Sequence, residues 1–165
     1  MNTTQKLVLT AILCGIAVAS ASFLSIPMGI IRAFPVQHLV NVVLAVTVGT
    51  KYAVSGAFFV ALLRNFLGLG TLFAFPGSIV GAFLAGILYK FTKNQLLAVC
   101  GEIIGTGFFG AILSYPIATL IMGREVTVFF IVPGFFFSSL VGAVLAFLIL
   151  KALMPALRVV NKKII

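Results

Sequence analysis

Acidic residues are almost missing from this chain: its 165 residues include two Asp or Glu against eleven Lys or Arg, with one histidine and two cysteines. A metal-dependent or nucleophilic enzyme needs a constellation of His, Cys and carboxylates, and this inventory has no His-Glu or Cys-His grouping to supply one. Catalysis and a bound cofactor or metal are therefore not expected. A nucleotide-binding motif is lacking as well. Gly68-Leu69-Gly70-Thr71 is followed by no Walker lysine and preceded by no strand, so ATP-driven transport would need other subunits. Cys14 and Cys100 lie inside apolar stretches, without metal or disulfide spacing, and read as small core residues.

What remains is apolar. The chain is 62% hydrophobic and 8% charged, with a mean hydropathy of +1.31. No aqueous domain of this size can hide so much apolar surface. The net charge of +9 would suit nucleic acid, but the basic residues are scattered singly and form no patch interleaved with aromatics, so the expected partner is the lipid bilayer. In lipid only helices or a closed barrel satisfy the backbone, and the apolar runs are too long and unbroken for barrel strands. The expected fold is an all-α membrane protein, a single integral membrane domain over residues 1–165.

Six spans are expected: Leu7 to about Leu24, Leu39 to about Val48, Tyr52 to about Phe66, Ser78 to about Phe91, Leu96 to about Met122, and about Val126 to Leu153. Pro27 closes the first, and a loop through Phe34-Pro35 leads to the second. The second is short for a ~30 Å hydrocarbon layer and is expected to be sunk or tilted. Pro116 is expected to bend the fifth span, and Pro133-Gly134 to distort the sixth. Lys6, Leu7 to Val18 and Ala19-Ser20-Ala21 also have the layout of a cleaved signal peptide, but a retained first helix makes the topology balance. With the N-terminus in the cytoplasm, Lys6, Lys51, Lys90, Lys93, Lys151, Arg158, Lys162 and Lys163 fall inside, against Arg32 and Arg124 outside. Both termini are expected to be cytoplasmic.

Against this background a few polar residues stand out: Gln37-His38-Leu39-Val40-Asn41, Arg64-Asn65-x-x-Gly68-x-Gly70-Thr71 and Ala74-Phe75-Pro76-Gly77-Ser78. Each is costly in a membrane and needs a partner. The topology brings all three runs to the outer face, as pieces of a small-molecule pocket. His38 and Asn41, at i and i+3, share one helix face and offer a donor and an acceptor to a planar ligand; the alternative is hydrogen bonding between helices. Arg64 cannot shed its charge, and Glu102 is the one acid inside an expected span. The two differ in height by about 9 Å at 1.5 Å per residue, a gap that long side chains or a water can bridge, so a direct or water-bridged pair is one reading of the two charges and separate partners are the other. Whether Glu102 also lines the pocket or only packs helices stays open. Ser78 is expected to cap the fourth helix, behind a Gly- and Pro-marked loop that covers the pocket. Tyr115 and one or two rings of the run Phe129, Phe130, Phe135, Phe136 and Phe137 are candidates to sandwich a flat heterocycle, with Ser138 or Ser139 offering a hydroxyl.

Small residues carry a second signal. Ala11, Gly15 and Ala19 recur every four residues, and Ala17 and Ala21 extend a nearly bare surface on the first helix, suited to packing in the bundle or to a partner chain. Gly101, Gly105, Gly107 and Gly110 read as intramolecular packing.

The order Gln37-His38-x-x-Asn41, Arg64-Asn65-x-x-Gly68-x-Gly70-Thr71-x-x-Ala74-Phe75-Pro76-Gly77-Ser78, Gly101-Glu102-x-x-Gly105-Thr106-Gly107 and Tyr115-Pro116 resembles the ThiW family over nearly the whole chain. These are S components, the substrate-binding subunits of energy-coupling factor (ECF) transporters of prokaryotic cell membranes. The resemblance implies a six-helix S-component fold and an outward pocket for a thiamine precursor, hydroxyethyl-methylthiazole. It also implies vitamin uptake through a transmembrane coupling subunit and two ATPases, with no catalysis by this subunit. It makes Ala11, Gly15 and Ala19 the docking surface for the coupling subunit. The ligand-binding set expected from the residues themselves is Gln37, His38, Asn41, Arg64, Asn65, Thr71, Phe75, Ser78, Glu102, Tyr115, Phe130, Ser138 and Ser139. A flat, neutral thiazole asks for aromatic walls and a few hydrogen bonds, which casts Arg64 as a brace for the pocket. A scaffold protein, a channel, or an S component for another small heterocycle are the alternatives.

Overall fold

A computed structural model describes the backbone of residues 1–28, 31–123 and 127–163, and side chains as far as Leu153 except Ile31. Six helical rods account for most of it: α1 Thr3–Ser20, α2 Pro35–Thr47, α3 Thr50–Phe66, α4 Ala74–Thr92, α5 Gln95–Ile121 and α6 Val128–Lys163. α1, α4, α5 and the Val128–Leu153 part of α6 are long and apolar enough to cross a membrane. Where α1 and α2 were expected to be joined by a plain loop, two short strands, β1 Ile26–Met28 and β2 Ile31–Ala33, pair antiparallel. Arg124 and the start expected for the last span at Val126 lie outside the described residues, as do the side chains of Arg158, Lys162 and Lys163.

α2 is the axis of the bundle. Pro35 occupies its first turn, where a missing N–H costs nothing, so the helix starts four residues before the expected Leu39. Its polar first turn is thereby drawn into the protein. Nine of its thirteen residues are buried, Gln37, His38 and Asn41 among them. α6 can press on this turn because Gly142 has no side chain: a Cβ there would stand 2.8 Å from that of His38 and 2.9 Å from the Leu39 nitrogen. α2 ends at Thr47 with Val48 as its C-cap, and Gly49 turns the chain at φ +99° into α3.

α4 and α5 meet backbone to backbone. A Cβ on Gly105 would lie 2.7 Å from Gly81 Cα, one on Gly110 2.6 Å from Gly77 Cα, and one on Gly101 2.9 Å from the Ala85 nitrogen. These contacts recur at intervals of about a turn and seat the two helices as one slab. α5 carries π-helical stretches at Gly105–Gly110 and Ile117–Ile121. The first coincides with the glycine contacts; the second follows Pro116, the residue expected to disturb this helix. α6, by contrast, continues as α-helix through Pro133 and Gly134.

The packing is inside-out relative to a soluble protein. Ala53, Ala57, Ala82, Ala85, Ala98, Ala111, Ala143 and Ala146 are buried, while Phe59, Phe66, Phe83, Phe91, Phe108 and Phe129 face outward. Small residues let helices approach closely when the surroundings are as apolar as the core. Ala17 and Ala21 belong to this interior, at 2% and 5% exposure, and so are not part of a bare outer face. Cys14 is buried, its thiol 3.7 Å from the Gly56 carbonyl, and Cys100 is half-buried. Ala11, Gly15 and Ala19 are exposed, and nothing lies within 4 Å of a Cβ built on Gly15.

The two kinds of glycine give opposite expectations for one change. Gly105→Ala should lower stability by roughly 1–3 kcal/mol, because backbone cannot move aside for the methyl. Gly15→Ala should be neutral or stabilising by up to ~1 kcal/mol through helix propensity. Thermal unfolding of both variants in detergent checks the pair; equal effects would contradict the α4–α5 contact.

Candidate functional site

A cavity of about 360 Å³ opens where α2 and α4 begin and α3 ends. β2 and the chain leading into α2 contribute Arg32 and Phe34; the first turn of α2 contributes Gln37 and His38; α3 contributes Arg64. The α3–α4 connection brings Gly68, Leu69, Gly70, Thr71 and Phe73, α4 adds Ala74 and Ser78, and α6 adds Gly134, Phe135 and Ser138. A volume of this order suits a small molecule, and the wall mixes aromatic rings with a few polar groups.

One wall is organised by Arg64, which is 1% exposed. Its guanidinium donates to Gln37 Oε1 and, at 3.3 Å, to the Leu69 carbonyl, and its carbon lies 3.4 Å from the centroid of the Phe34 ring. Hydrogen bonds and a cation–π contact thus bind the end of α3 to the start of α2 and to the α3–α4 connection. Gly68, at φ +69°, lets the chain turn back over this guanidinium. Asn65 braces the same connection, donating from Nδ2 to the Ala61 carbonyl at 2.8 Å and the Thr71 carbonyl at 3.1 Å.

Under the cavity lies a second polar cluster centred on Glu102 of α5, which is fully buried. Glu102 Oε1 is 2.8 Å from His38 Nδ1 and accepts from Asn41 Nδ2 at 2.9 Å and Thr106 Oγ1 at 3.2 Å. Asn41 also donates to the Ser78 carbonyl at 3.2 Å, and the single hydroxyl proton of Thr106 has the Gly77 carbonyl, at 2.9 Å, as its alternative acceptor. Gly81 leaves room for this cluster, since a Cβ there would fall 2.8 Å from Glu102 Oε1.

Of the two readings of these charges, the direct Arg64–Glu102 pair is not formed, and each group has its own partners. Because α2 begins at Pro35, its first two turns sit between the two groups, and His38 and Asn41 reach Glu102 while Gln37 reaches Arg64. Of the expected ligand-binding set, Gln37, His38, Arg64, Thr71, Ser78 and Ser138 lie on the cavity wall. Asn41 and Glu102 are beneath it, and Asn65 is behind the connection.

The rest are placed elsewhere. Phe75 packs against Phe58 with ring centroids 5.7 Å apart. Ser139 faces away, its hydroxyl donating to the Phe136 carbonyl at 3.1 Å. Tyr115 and Phe130 point outward, 40% and 69% exposed. Their helices extend past the cavity, and the aromatic rings on its wall are instead Phe34, Phe73 and Phe135. Phe135 reaches it across Gly77, where any side chain would collide with the ring. Ser78 does not cap α4, which starts at Ala74; its hydroxyl donates to the Ala74 carbonyl at 2.7 Å. Phe135 belongs to the Phe-rich run at the start of the last span that was expected to supply a stacking ring, whereas Arg32, Phe34 and Phe73 went unrecognised in the sequence. Of these three only Phe34 had a signal there, since proline favours the first turn of a helix and puts Phe34 at the start of α2. No cluster of three His, Cys, Asp or Glu side chains that could hold a metal exists among the described residues.

A helical membrane protein with a ligand-sized polar cavity at one end of its bundle is a solute-binding architecture, and its fold is known. A solved structure described as the structure and mechanism of the S component of a bacterial ECF transporter superposes with a TM-score of 0.77, at 18% identity, covering 94% of this chain and 99% of the other. At that identity the likeness establishes the fold. The profile of the ThiW family, described as thiamine-precursor transporter proteins, matches residues 7–156, and the chain belongs to that family. No curated protein matches it in sequence.

Removing the organising cation should loosen the whole wall. Arg64→Ala leaves Gln37 Oε1 and the Leu69 carbonyl without their donor and should cost roughly 2–4 kcal/mol. Thermal unfolding would show the loss, with faster proteolysis between Leu67 and Phe73; unchanged values would contradict the bracing role.

Proposed function

We propose that this chain is the substrate-binding S component of an ECF transporter and that the cavity between Arg64 and His38 takes hydroxyethyl-methylthiazole, the thiamine precursor. The observation that carries this reading is the wall itself. Three aromatic rings surround a space edged by Gln37, His38, Thr71, Ser78 and Ser138, with the one buried guanidinium of the wall already engaged by protein groups. That is the lining a flat, neutral heterocycle with a hydroxyl arm requires. Arg64 braces the pocket in this reading, and no bond of the ligand is made or broken.

The chain crosses the cell membrane of a prokaryote six times in this proposal, with both termini in the cytoplasm and the cavity outward. Lys6, Lys51, Lys90 and Lys93 stand at helix ends away from the cavity, whereas Arg32 and Arg64 stand at it, in keeping with positive residues inside. α2 and α3 are short for a crossing and are inserted obliquely among longer neighbours. Ligand passes inward through assembly with a transmembrane coupling subunit and two ATPases. The exposed Ala11, Gly15 and Ala19 form the face that meets the coupling subunit.

Calorimetric titration of purified protein with hydroxyethyl-methylthiazole, thiamine and unrelated vitamins tests the ligand. The thiazole should bind and His38→Ala should weaken it by about tenfold or more. Preference for another heterocycle would reassign the substrate, and no binding by any would favour a scaffold. Gly15→Leu should leave titration unchanged but prevent co-purification with the coupling subunit; retained association would refute the docking face.

A further inference from the structure

His38 stands at the boundary between the two polar clusters. Its ring touches the cavity on one side, and its Nδ1 is 2.8 Å from Glu102 Oε1 on the other. Nε2 has no hydrogen-bond partner among the described residues and is not fully enclosed, and the cavity is the space that His38 lines. In a neutral imidazole one nitrogen donates and the other accepts, and the partner of the first decides which. A carboxylate can only accept.

We propose that Glu102 is a positioning residue that keeps the His38 proton on Nδ1, so that Nε2 presents a bare lone pair to the cavity and selects ligands bearing a hydroxyl or another hydrogen-bond donor. The inference rests on the cavity being the ligand site proposed above. It adds the reason for specificity: an unpartnered acceptor facing an enclosed space penalises any ligand that fills the space without donating to it.

The surroundings of Glu102 support this assignment. Oε1 already accepts from Asn41, an amide donor held in place by its second bond to the Ser78 carbonyl. Two N–H groups from α2 therefore converge on the same oxygen, and neither can be accommodated by a donor at that position. Among the described residues Oε2 is buried without a partner, so the oxygen facing His38 is the one the protein has equipped. This is the arrangement by which an outer carboxylate orients a histidine toward a metal, with a ligand hydroxyl in the place of the metal.

The chain holds one histidine, so selective 15N labelling of histidine reports a single ring. In ligand-free protein Nδ1 should carry the proton and Nε2 should not, and hydroxyethyl-methylthiazole should shift the Nε2 resonance. Titration with ethyl-methylthiazole, which lacks only the hydroxyl, should show weaker binding by about tenfold or more. Glu102→Met removes the acceptor and should abolish both the tautomer preference and most of that discrimination. Glu102→Gln keeps an acceptor oxygen toward His38 and Asn41, and should retain both even if the protein becomes less stable. Protonation of Nε2 in the wild type, or equal weakening of both ligands in Glu102→Met, would overturn the proposal. If the wild type binds neither thiazole, the proposed substrate falls instead, while the ring spectrum of Glu102→Met still decides whether Glu102 sets the tautomer.

Discussion

Glu102 Oε1 is the point on which the interior depends. A carboxylate enclosed among apolar helices is tolerable only if donors are brought to it, and His38 and Asn41 of α2 and Thr106 of α5 are those donors. This need fixes the rotation and depth of α2, because both of its donors must face α5. It also fixes α4, whose Ser78 carbonyl takes the second amide proton of Asn41 and whose Gly77 carbonyl is the alternative acceptor for the single hydroxyl proton of Thr106. With α2 held so deep, its first turn becomes the floor of a cavity. Arg64 then closes the side by tying α3 to the same turn through Gln37.

Glycine makes this arrangement sterically possible. Gly81 leaves space for the carboxylate, Gly142 lets α6 lie against the first turn of α2, and Gly77 admits the Phe135 ring to the cavity wall. In a bundle whose exterior is as apolar as its interior, close fit supplies the cohesion that water would drive elsewhere. The same residues therefore serve stability and site, and the polar clusters can be enclosed without lengthening the helices.

Much of this was legible in the residue order. The helical class followed from apolar runs, and the convergence of Gln37, His38, Arg64, Thr71 and Ser78 on one end followed from counting helices. The partners of the costly groups were not legible. Arg64 and Glu102 carry opposite charge and invite pairing, yet the protein gives each its own partners: Gln37, the Leu69 carbonyl and the Phe34 ring for Arg64, and His38, Asn41 and Thr106 for Glu102 Oε1. The direct pair fails because α2 starts before Leu39: four more residues, beginning at Pro35, put two helical turns between the charges. Tyr115 and Phe130 were chosen by chemistry alone, and helix length carried them past the cavity.

Composition and spacing alone determined that the chain is a membrane helix bundle, that its few polar residues gather at one end, and that small residues line the close helix contacts. Those properties depend on local periodicity and on the cost of polar groups in lipid, which every residue carries with it. Tertiary structure alone decided which acceptor each donor meets, which phenylalanines face the cavity, and that His38 stands between Glu102 and the cavity. Such choices turn on helix depth and rotation, and a displacement of one turn, 5.4 Å, exchanges one partner for another.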